Sequence, residues 1–270
     1  NVQELAFDQY GNLFGVDNDA DQPGERERFV YIVQDMDAGW RCNYQYRGGD
    51  FNPWTDEKLW QTWHAAQPAY VTPPLEYSIN GPCGFAFNPG TALSESYRNY
   101  FFLTGAPHGE QIAFRVRQNG ASFRMEDVHP VGRGTALIGI NFGPDGGLYG
   151  VDWANGYPLN RKGAVWKLDV GSGRQHPLRP ITRQLLKKNL QPESADKLVD
   201  YLAHADQRVR LRAQFELVRR KDLATLGRVV GDVRASQLAR IHALWGAGQL
   251  ESQAGGGPDW AAVLSDEDPE

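Results

Sequence analysis

The sequence has little cysteine, no clustered histidine and no long apolar run. Its two cysteines, Cys42 and Cys83, are 41 residues apart and form neither Cys-x-x-Cys nor Cys-x-x-Cys-His, so this segment cannot itself attach a c-type haem. The six histidines show no His-Glu-x-x-His or cysteine-paired pattern, so a zinc site is not supported. No stretch approaches the roughly 18 apolar residues of a membrane span.

The sequence has only a small excess of negative over positive charge. The formal net charge is −5, with a pI near 5.7, which argues against nucleic-acid binding because phosphate contacts require clustered Lys and Arg. Hydrophobic residues make up 41% of the 270 residues, which is enough to bury a core. The plentiful residues are 30 Gly, 16 Pro, 8 Trp, 11 Tyr and 12 Phe, a mixture typical of short strands joined by tight turns.

Composition changes near residue 180. The first 180 residues hold 13 of the 16 prolines and 20 acidic against 15 basic residues, whereas residues 181–270 hold 13 of each sign. We therefore predict two domains, joined by a linker rich in Gly, Ser and Pro at residues 171–182. The chain starts at Asn1 without a signal segment and ends in a polar turn. We therefore expect it to be a fragment of a longer protein.

A repeated hairpin is the strongest signal before residue 170. Residues 5–17 match residues 140–152 in their aromatic, turn, Gly, Leu, Val and Asp positions. Each copy predicts an apolar strand, a turn with Gly, and a second strand that ends at an Asp. Repeated hairpins of this kind predict propeller blades, too few here for a closed ring. Further predicted strands are 29–33, 84–87, 100–104, 112–116 and 164–168.

After residue 180 the hydrophobic period becomes 3.6. Helices are predicted at about 195–202, 209–218, 223–230 and 236–246, with Asp206 as an N-cap and His242 as a packing residue. The pattern from Asp206 to Ala213 is similar to HEAT repeats. The predicted fold class is therefore mixed, β then α: a partial β-propeller over residues 1–170 and a truncated α-solenoid of HEAT-like helical hairpins over residues 183–270.

The densest polar segment, residues 17–25, offers carboxylates at alternate positions. Asp17, Asp19, Asp21 and Glu25 could wrap oxygens around a hard cation such as Ca²⁺. An EF-hand is excluded, because its twelfth position would be Arg28. A solvated acidic turn held by Asx-type hydrogen bonds is the alternative.

Other candidates are single residues. His108, in a Gly- and Pro-containing loop, is the best acid/base candidate, with an ordinary surface histidine as the alternative. Cys42 and Cys83 could form a disulfide or remain as two buried thiols. Trp54 and Trp153 could stack on sugar rings, although most tryptophans belong to cores.

Several segments resemble one family. They are residues 1–21, 39–43, 52–60, 73–75, 81–90 and 141–149, followed by Asp152 and Trp153, and residues 238–245 in the helical part. Together they resemble the membrane-bound or secreted dehydrogenase-like proteins of Planctomycetes and Verrucomicrobia, which are similar to soluble glucose/sorbosone dehydrogenases. That family typically continues into HEAT repeats and a C-terminal cytochrome c domain with Cys-x-x-Cys-His.

The resemblance implies a periplasmic or secreted oxidoreductase that oxidises a sugar or alcohol. In the relatives a catalytic His takes the proton of the substrate hydroxyl while hydride passes from the substrate to pyrroloquinoline quinone, which is held by Ca²⁺ and arginines, and that His would lie upstream of Asn1. An Arg-x-Arg-Asp stretch of the relatives is replaced here by residues 136–139, Ala-Leu-Ile-Gly, so the cations that a quinone with three carboxylates needs are missing. A c-type haem is expected only outside this segment.

Two functions follow as hypotheses. The first is an enzyme whose propeller oxidises a sugar or alcohol and passes electrons to the haem domain, with this segment alone inactive. The second is a non-catalytic module in which the propeller and the HEAT solenoid bind a glycan or a protein partner. Nucleic acid and a membrane span are not expected.

Overall fold

The computed structural model describes residues 2–18, 27–37, 74–77, 81–106, 108–154, 161–254 and 261–266. Strands precede helices, which confirms the mixed, β-then-α order predicted from the sequence. The chain divides into two compact units, and we describe each by itself. The strand unit comprises residues 1–88, 99–143 and 147–169. The helical unit comprises residues 89–98, 144–146 and 170–270.

The described residues of the strand unit form three antiparallel sheets in which each strand pairs with the next along the chain. The first sheet contains β1 (Val2–Phe7), β2 (Leu13–Asp17), β3 (Arg28–Ile32) and β4 (Glu76–Tyr77). The second contains β5 (Pro82–Phe87), β6 (Phe101–Gly105), β7 (Glu110–Asn119) and β8 (Ser122–Arg133). The third contains β9 (Leu137–Phe142), β10 (Leu148–Asp152) and β11 (Ala164–Leu168).

The two copies of the repeat are the hairpins β1–β2 and β9–β10. In the first, the carboxylate of Asp8 accepts the backbone N–H groups of Tyr10 and Asn12, both at 2.9 Å, and Gly11 has a φ of +88°. In the second, the N–H of Gly143 donates to the carbonyl of Gly147 at 2.9 Å. The Asp and Gly residues of the motif therefore form the turns for which the sequence predicts them.

Aromatic side chains fill the space between the first and second sheets. Phe14 on β2 contacts Phe101 on β6 edge-to-face at 5.2 Å between ring centroids, and Phe29 on β3 contacts Phe114 on β7 in the same way at 5.2 Å. All four rings are fully buried. Because β2 faces β6 and β3 faces β7, the two sheets are stacked strand on strand, and β5 also lies against β9 of the third sheet.

The helical unit contains five α-helices in its described residues. They are α1 (Arg179–Lys187), α2 (Ala195–Leu202), α3 (Gln207–Arg219), α4 (Leu223–Gly231) and α5 (Gln237–Ala254). Side-chain N-caps start four of them: Ser194 before α2, Asp206 before α3, Asp222 before α4 and Ser236 before α5. Helix α2 packs on α3 and α4 packs on α5, around a core that includes Leu198, Leu202, Leu217, Leu226 and Ala243.

The elements agree with the sequence in type and differ at their ends. Strand β11 and helix α2 have the predicted bounds, whereas α5 runs eight residues further than its prediction, to Ala254. Strand β8 and helix α1 were not predicted. Within residues 171–182, interpreted from sequence as a linker, the structure has a 3-10 helix at Ser172–Arg174 and the start of α1. No helix in the described part of the chain is long and apolar enough to cross a membrane.

Candidate functional site

The candidate site lies where strands β2, β6 and β10 end in the strand unit. Asn18, directly after β2, donates its side-chain amide to the carbonyl of Pro82 at the start of β5, at 3.0 Å. The hydroxyl of Thr104 on β6 donates to the carbonyl of Leu137 at the start of β9, at 2.6 Å. Leu137 pairs in turn with Asp152 at the end of β10. The two aspartates that end the repeated hairpins, Asp17 and Asp152, therefore belong to one end of the stacked sheets.

Asp17 is buried beside the guanidinium of Arg28. Its Oδ2 accepts the Nε–H of Arg28 at 2.7 Å and a second bond from Arg28 Nη2, and both side chains are 7% exposed. Its other oxygen, Oδ1, is buried and has no hydrogen-bond partner among the described residues. A buried carboxylate oxygen without a partner is costly unless something occupies its lone pairs, so Asp17 has one oxygen committed to Arg28 and one available to a further cation or donor.

Of the four predicted Ca²⁺ ligands, the structure describes one, Asp17, and its surroundings fit that role. Asp17 offers Oδ1, a hard oxygen of the type that Ca²⁺ prefers. Asp19, Asp21 and Glu25, the other predicted ligands, lie outside the described residues. Within those that are described, no group of three or more His, Cys, Asp or Glu side chains could hold a metal. The four-carboxylate site stays a prediction.

A second carboxylate and a thiol lie close to Asp17. Glu27 accepts the backbone N–H of Gly81, which has a φ of +59° and whose missing side chain leaves room for the carbonyl of Ala106. Cys83 donates its S–H to the carbonyl of Gly81 at 3.2 Å. Burial first, and to a lesser extent the negative charge of Glu27, raise the pKa of the Cys83 thiol. Cys83 is therefore a protonated buried thiol and a poor nucleophile near neutral pH.

One of the two cysteines and one of the two candidate tryptophans belong to the described part of the chain. Cys83 is a free thiol, and Cys42 lies outside the described residues, so their predicted alternatives stay open. Trp54 lies outside the described residues as well. Trp153 is half-buried, and its backbone N–H donates to the carbonyl of Ala136 at 3.0 Å. Its role in substrate binding stays a prediction.

Asp152 serves the local structure. One carboxylate oxygen accepts the backbone N–H of Ala154 at 2.8 Å, and the other accepts the indole N–H of Trp166 at 3.0 Å. This carboxylate therefore orients the turn after β10 and the exposed Trp166 ring. The matching position in the first hairpin, Asp17, differs because it pairs with an arginine and keeps one oxygen that no described residue bonds.

His108 lies in the short turn between β6 and β7. Its side chain is exposed, and the following residue, Gly109, donates its N–H to the carbonyl of Gly105 at 3.1 Å. No described carboxylate orients its imidazole, in contrast to the triad arrangement of a catalytic histidine. Its predicted acid/base role has no support from its surroundings in the described part of the chain.

An apolar cleft of about 160 Å³ lies between the second and third sheets. Its walls include Ile112 and Val131 of the second sheet and Leu137, Trp166 and Leu168 of the third. The polar groups on its walls are already bonded within the protein. Thr104 donates to Leu137, and the Gln111 amide donates to the carbonyls of Thr135 and Gly109 at 2.7 and 3.2 Å. Sequence reasoning missed this cleft, because it is formed between strands that are distant in sequence.

The cleft bears on the quinone that the resemblance implies. The resemblance noted in the sequence places residues 136–139 at the Arg-x-Arg-Asp stretch of the glucose/sorbosone dehydrogenases, and in the structure Leu137 forms part of an apolar wall. Arg28, the cation at the strand ends, is already paired with Asp17. A quinone with three carboxylates requires several cations with free hydrogen-bond donors. The described residues of this region do not fit that cofactor.

No protein-family model and no curated protein sequence matches the chain. It is similar to the solved structure of a putative glucose dehydrogenase of Thermus thermophilus, at 18% identity over 62% of this chain and 44% of that one, with a TM-score of 0.45. It is also similar to the solved structure of a glucose dehydrogenase, at 18% identity over 63% of this chain and 45% of that one, with a TM-score of 0.45. A third similar structure is the soluble aldose sugar dehydrogenase of Escherichia coli in its apo form, at 18% identity over 62% of this chain and 44% of that one, with a TM-score of 0.40. The chain spans less than half the length of each of these three structures.

Proposed function

We propose that the three stacked sheets are blades of a β-propeller of the glucose/sorbosone dehydrogenase-like type. The proposal is supported by the antiparallel meander of each sheet, by the facing pairs β2–β6 and β3–β7, and by β5 lying against both β1 and β9. The helices α2 and α3, and then α4 and α5, are proposed as HEAT-like hairpins, since each pair packs around a shared apolar core.

The function that we infer is part of a secreted or periplasmic sugar or alcohol dehydrogenase-like protein, which passes electrons to a c-type haem outside this segment. The observation that carries this inference is the buried Asp17 with its unpartnered Oδ1 at the strand ends, where the loops of a propeller form a binding site. The proposed substrate is a sugar or an alcohol.

In this proposal Asp17 Oδ1 contributes to a Ca²⁺ site together with Asp19, Asp21 and Glu25. Bound Ca²⁺ would supply a Lewis acid that binds and polarises substrate hydroxyl oxygens. Arg28 holds the Asp17 carboxylate in one orientation through its two bonds to Oδ2, so that Oδ1 keeps a constant direction. Burial of the pair excludes water, which strengthens the attraction between the carboxylate and any cation.

The enzyme proposal is tested on the full-length protein. The protein is supplied with Ca²⁺, in parallel with and without pyrroloquinoline quinone because the described cleft does not fit that cofactor, and is assayed for reduction of a dye acceptor with a broad panel of sugars and alcohols. Dye reduction that depends on substrate supports the proposal. Full-length protein that binds Ca²⁺ and yet reduces no acceptor with any member of the panel would contradict it.

A second candidate function is favoured by the apolar wall at Leu137, which replaces the cations expected for a quinone. Here the propeller is a non-catalytic module that binds a glycan or a protein. Trp153 and Trp54 are then proposed to stack on sugar rings. Binding of the chain to a glycan array that is lost in Trp153→Ala or Trp54→Ala supports this function, and undiminished binding in both variants contradicts the stacking role.

A further inference from the structure

The sequence contains three Asn-Gly dipeptides, at residues 80–81, 119–120 and 155–156. In such a pair the backbone nitrogen of the glycine can attack the side-chain amide carbon of the asparagine, because glycine has no side chain to block the approach. In a folded chain this reaction depends on how freely the glycine nitrogen moves. Gly81 and Gly120 belong to the described part of the chain, and their surroundings differ.

Gly120 lies in the turn between β7 and β8. Asn119 pairs with Ser122, so Gly120 and Ala121 form a two-residue turn, in which Gly120 has a φ of +63°. The central N–H groups of such a turn take no part in the ladder, and no described residue accepts a hydrogen bond from the Gly120 nitrogen. A Cβ placed on Gly120 would meet nothing within 4 Å. The nitrogen is therefore neither bonded nor crowded.

The asparagine before this glycine is exposed. Asn119 is the last residue of β7, and all residues from 117 to 121 are exposed. Within the described part of the chain, the side-chain amide of Asn119 forms no hydrogen bond. Water therefore reaches this amide group directly, and its carbon is not held away from the nitrogen that follows.

The pair that Asn119 forms with Ser122 is the last one of its ladder. Phe123, the next residue along β8, is anchored by Phe14 and Tyr31, at 5.1 and 4.9 Å between ring centroids. Beyond this anchor the terminal pair and the turn open at a low cost in free energy. Opening lets the backbone of Asn119 rotate out of its extended conformation, which the attack requires.

Gly81, in contrast, is held by three hydrogen bonds. Its N–H donates to the carboxylate of Glu27, and its carbonyl accepts the N–H of Ala106 at 2.8 Å and the S–H of Cys83 at 3.2 Å. These bonds must break before the Gly81 nitrogen can approach the amide carbon of Asn80. The negative charge of Glu27 also opposes loss of the proton from this nitrogen.

We propose that Asn119 is a site of spontaneous deamidation, at which the folded chain converts to aspartate and isoaspartate forms. The Gly120 nitrogen forms a bond to Cγ of Asn119 and loses its proton. The side-chain amide nitrogen takes up a proton through water and leaves as ammonia. Water then opens the resulting succinimide: attack at the side-chain carbonyl gives aspartate, and attack at the backbone carbonyl gives isoaspartate, whose main chain runs through the side-chain carbon.

The aspartate product suits the charge of the hairpin end. Alternate residues of a strand share a face, so residue 119 lies on the face of Arg117, which pairs with Arg124 across the ladder. Like charges that lie opposite each other repel, and a carboxylate at residue 119 reduces this repulsion. The variant Asn119→Asp is therefore expected to fold as the parent chain does, and converted chains accumulate in the folded state.

The test compares the folded 270-residue chain with the same chain unfolded in urea. Peptides that contain residues 80 and 119 are followed by mass spectrometry, in which the change from amide to carboxyl is read as a gain in mass. In the folded chain residue 119 is expected to convert at least about ten times faster than residue 80, because the bonds of Gly81 open rarely. In urea the two rates are expected to agree within about threefold, since both pairs are then unfolded.

Two variants assign the reaction to its residue. Asn119→Gln would have to close a larger ring and is expected to stop conversion at this position. Asn80→Gln is the matched control and is expected to leave conversion at residue 119 unchanged. Asn119→Asp provides the standard for the aspartate product, and labelling by an isoaspartate methyltransferase identifies the other product.

Two results overturn the proposal. The first is a folded chain in which residue 119 converts no faster than residue 80. The second is conversion of residue 119 in urea while the folded chain stays unmodified there, because the open turn would then give no access to the reaction. Conversion in the folded chain that yields both products and is lost in Asn119→Gln supports the proposal.

Discussion

The hydroxyl of Thr91 donates to Oδ2 of Asp206 at 2.7 Å, although 115 residues separate the two in sequence. Both belong to the helical unit, and Asp206 is fully buried. The same carboxylate caps α3 by accepting the N–H of Arg208 through Oδ1 at 3.0 Å, and the Arg208 guanidinium lies 2.9 Å from both oxygens. One side chain thus joins residues 89–98, the loop between β5 and β6, to the start of a helix.

We expect Asp206→Ala to destabilise the chain far more than Asp222→Ala. Both residues are aspartate N-caps, and loss of an ordinary cap costs about 1 kcal/mol. Asp206→Ala also removes the carboxylate that Thr91 and Arg208 share, which raises the expected loss to about 3 kcal/mol. Urea denaturation followed by circular dichroism gives both values, and equal losses would show that the Thr91 contact contributes nothing.

We expect Gly90→Ala to be more costly than Gly120→Ala. Both glycines have positive φ, +119° and +63°, so both variants pay the strain of a left-handed backbone, about 1 kcal/mol. A Cβ at Gly90 would lie 2.1 Å from the carbonyl oxygen of Ala205, whereas a Cβ at Gly120 meets nothing within 4 Å. Thermal unfolding should show a clearly lower Tm for Gly90→Ala. Similar Tm values for the two variants would contradict the close approach of the loop to Ala205.

We expect stability to fall as the pH drops, partly through His242. Burial first, and then the charge of Arg210, lower the pKa of His242 to about 3, and its Nδ1 bonds to Gln214 at 2.8 Å. In the unfolded chain the imidazole titrates near its ordinary value of about 6.5, so protons favour unfolding. The contribution of neutral His242 to the free energy of unfolding is complete above about pH 6.5. It decreases by about 1.4 kcal/mol for each pH unit as the pH falls toward 3.

Chemical denaturation between pH 7 and pH 4 measures this slope. His242→Gln removes the titrating group and is expected to flatten the slope, whereas His108→Gln, at an exposed position, is expected to leave it unchanged. Part of the slope persists in His242→Gln, because burial also lowers the pKa of His204. A slope that is the same in all three proteins would mean that His242 is protonated in the folded state.

We expect Ca²⁺ to raise the Tm of the chain in a way that EGTA reverses. A ligand at about 100 times its Kd stabilises the folded state by about 2.7 kcal/mol. The double variant Asp19→Ala/Asp21→Ala is expected to lose this shift. The variant Asp196→Ala/Asp200→Ala removes the same charge from exposed positions of α2 and is expected to keep it. Retention of the full shift in the first variant would refute the proposed ligands.

Local patterns in the sequence predicted the elements that depend on neighbours along the chain. The repeat predicted both hairpins because an Asp and a Gly at fixed offsets dictate each turn, and Asp206 was predicted as an N-cap because a cap acts within a few residues. Strand β8 carries no clear period-two pattern, since Pro130 and the charged residues Arg124, Glu126 and Asp127 interrupt it, and it was missed.

The candidate site was predicted less completely than the fold. The acidic segment identified Asp17, but its pairing with Arg28 was not predicted, because the two residues meet across adjacent strands. The apolar cleft and the unpartnered Oδ1 also depend on which strands lie side by side. Burial and partners belong to the packed chain, and no single segment contains that information.

The sequence by itself determined the order of strands and helices, the turns of the repeated hairpins and the cap of α3, because each depends on dihedral preferences and hydrogen bonds within a few residues. Only the tertiary structure decided that Thr91 reaches Asp206, that Asp17 keeps one buried oxygen without a partner among the described residues, and that an apolar cleft lies between the second and third sheets. These three properties arise from contacts between distant segments, whose free energy is gained only when the whole unit packs.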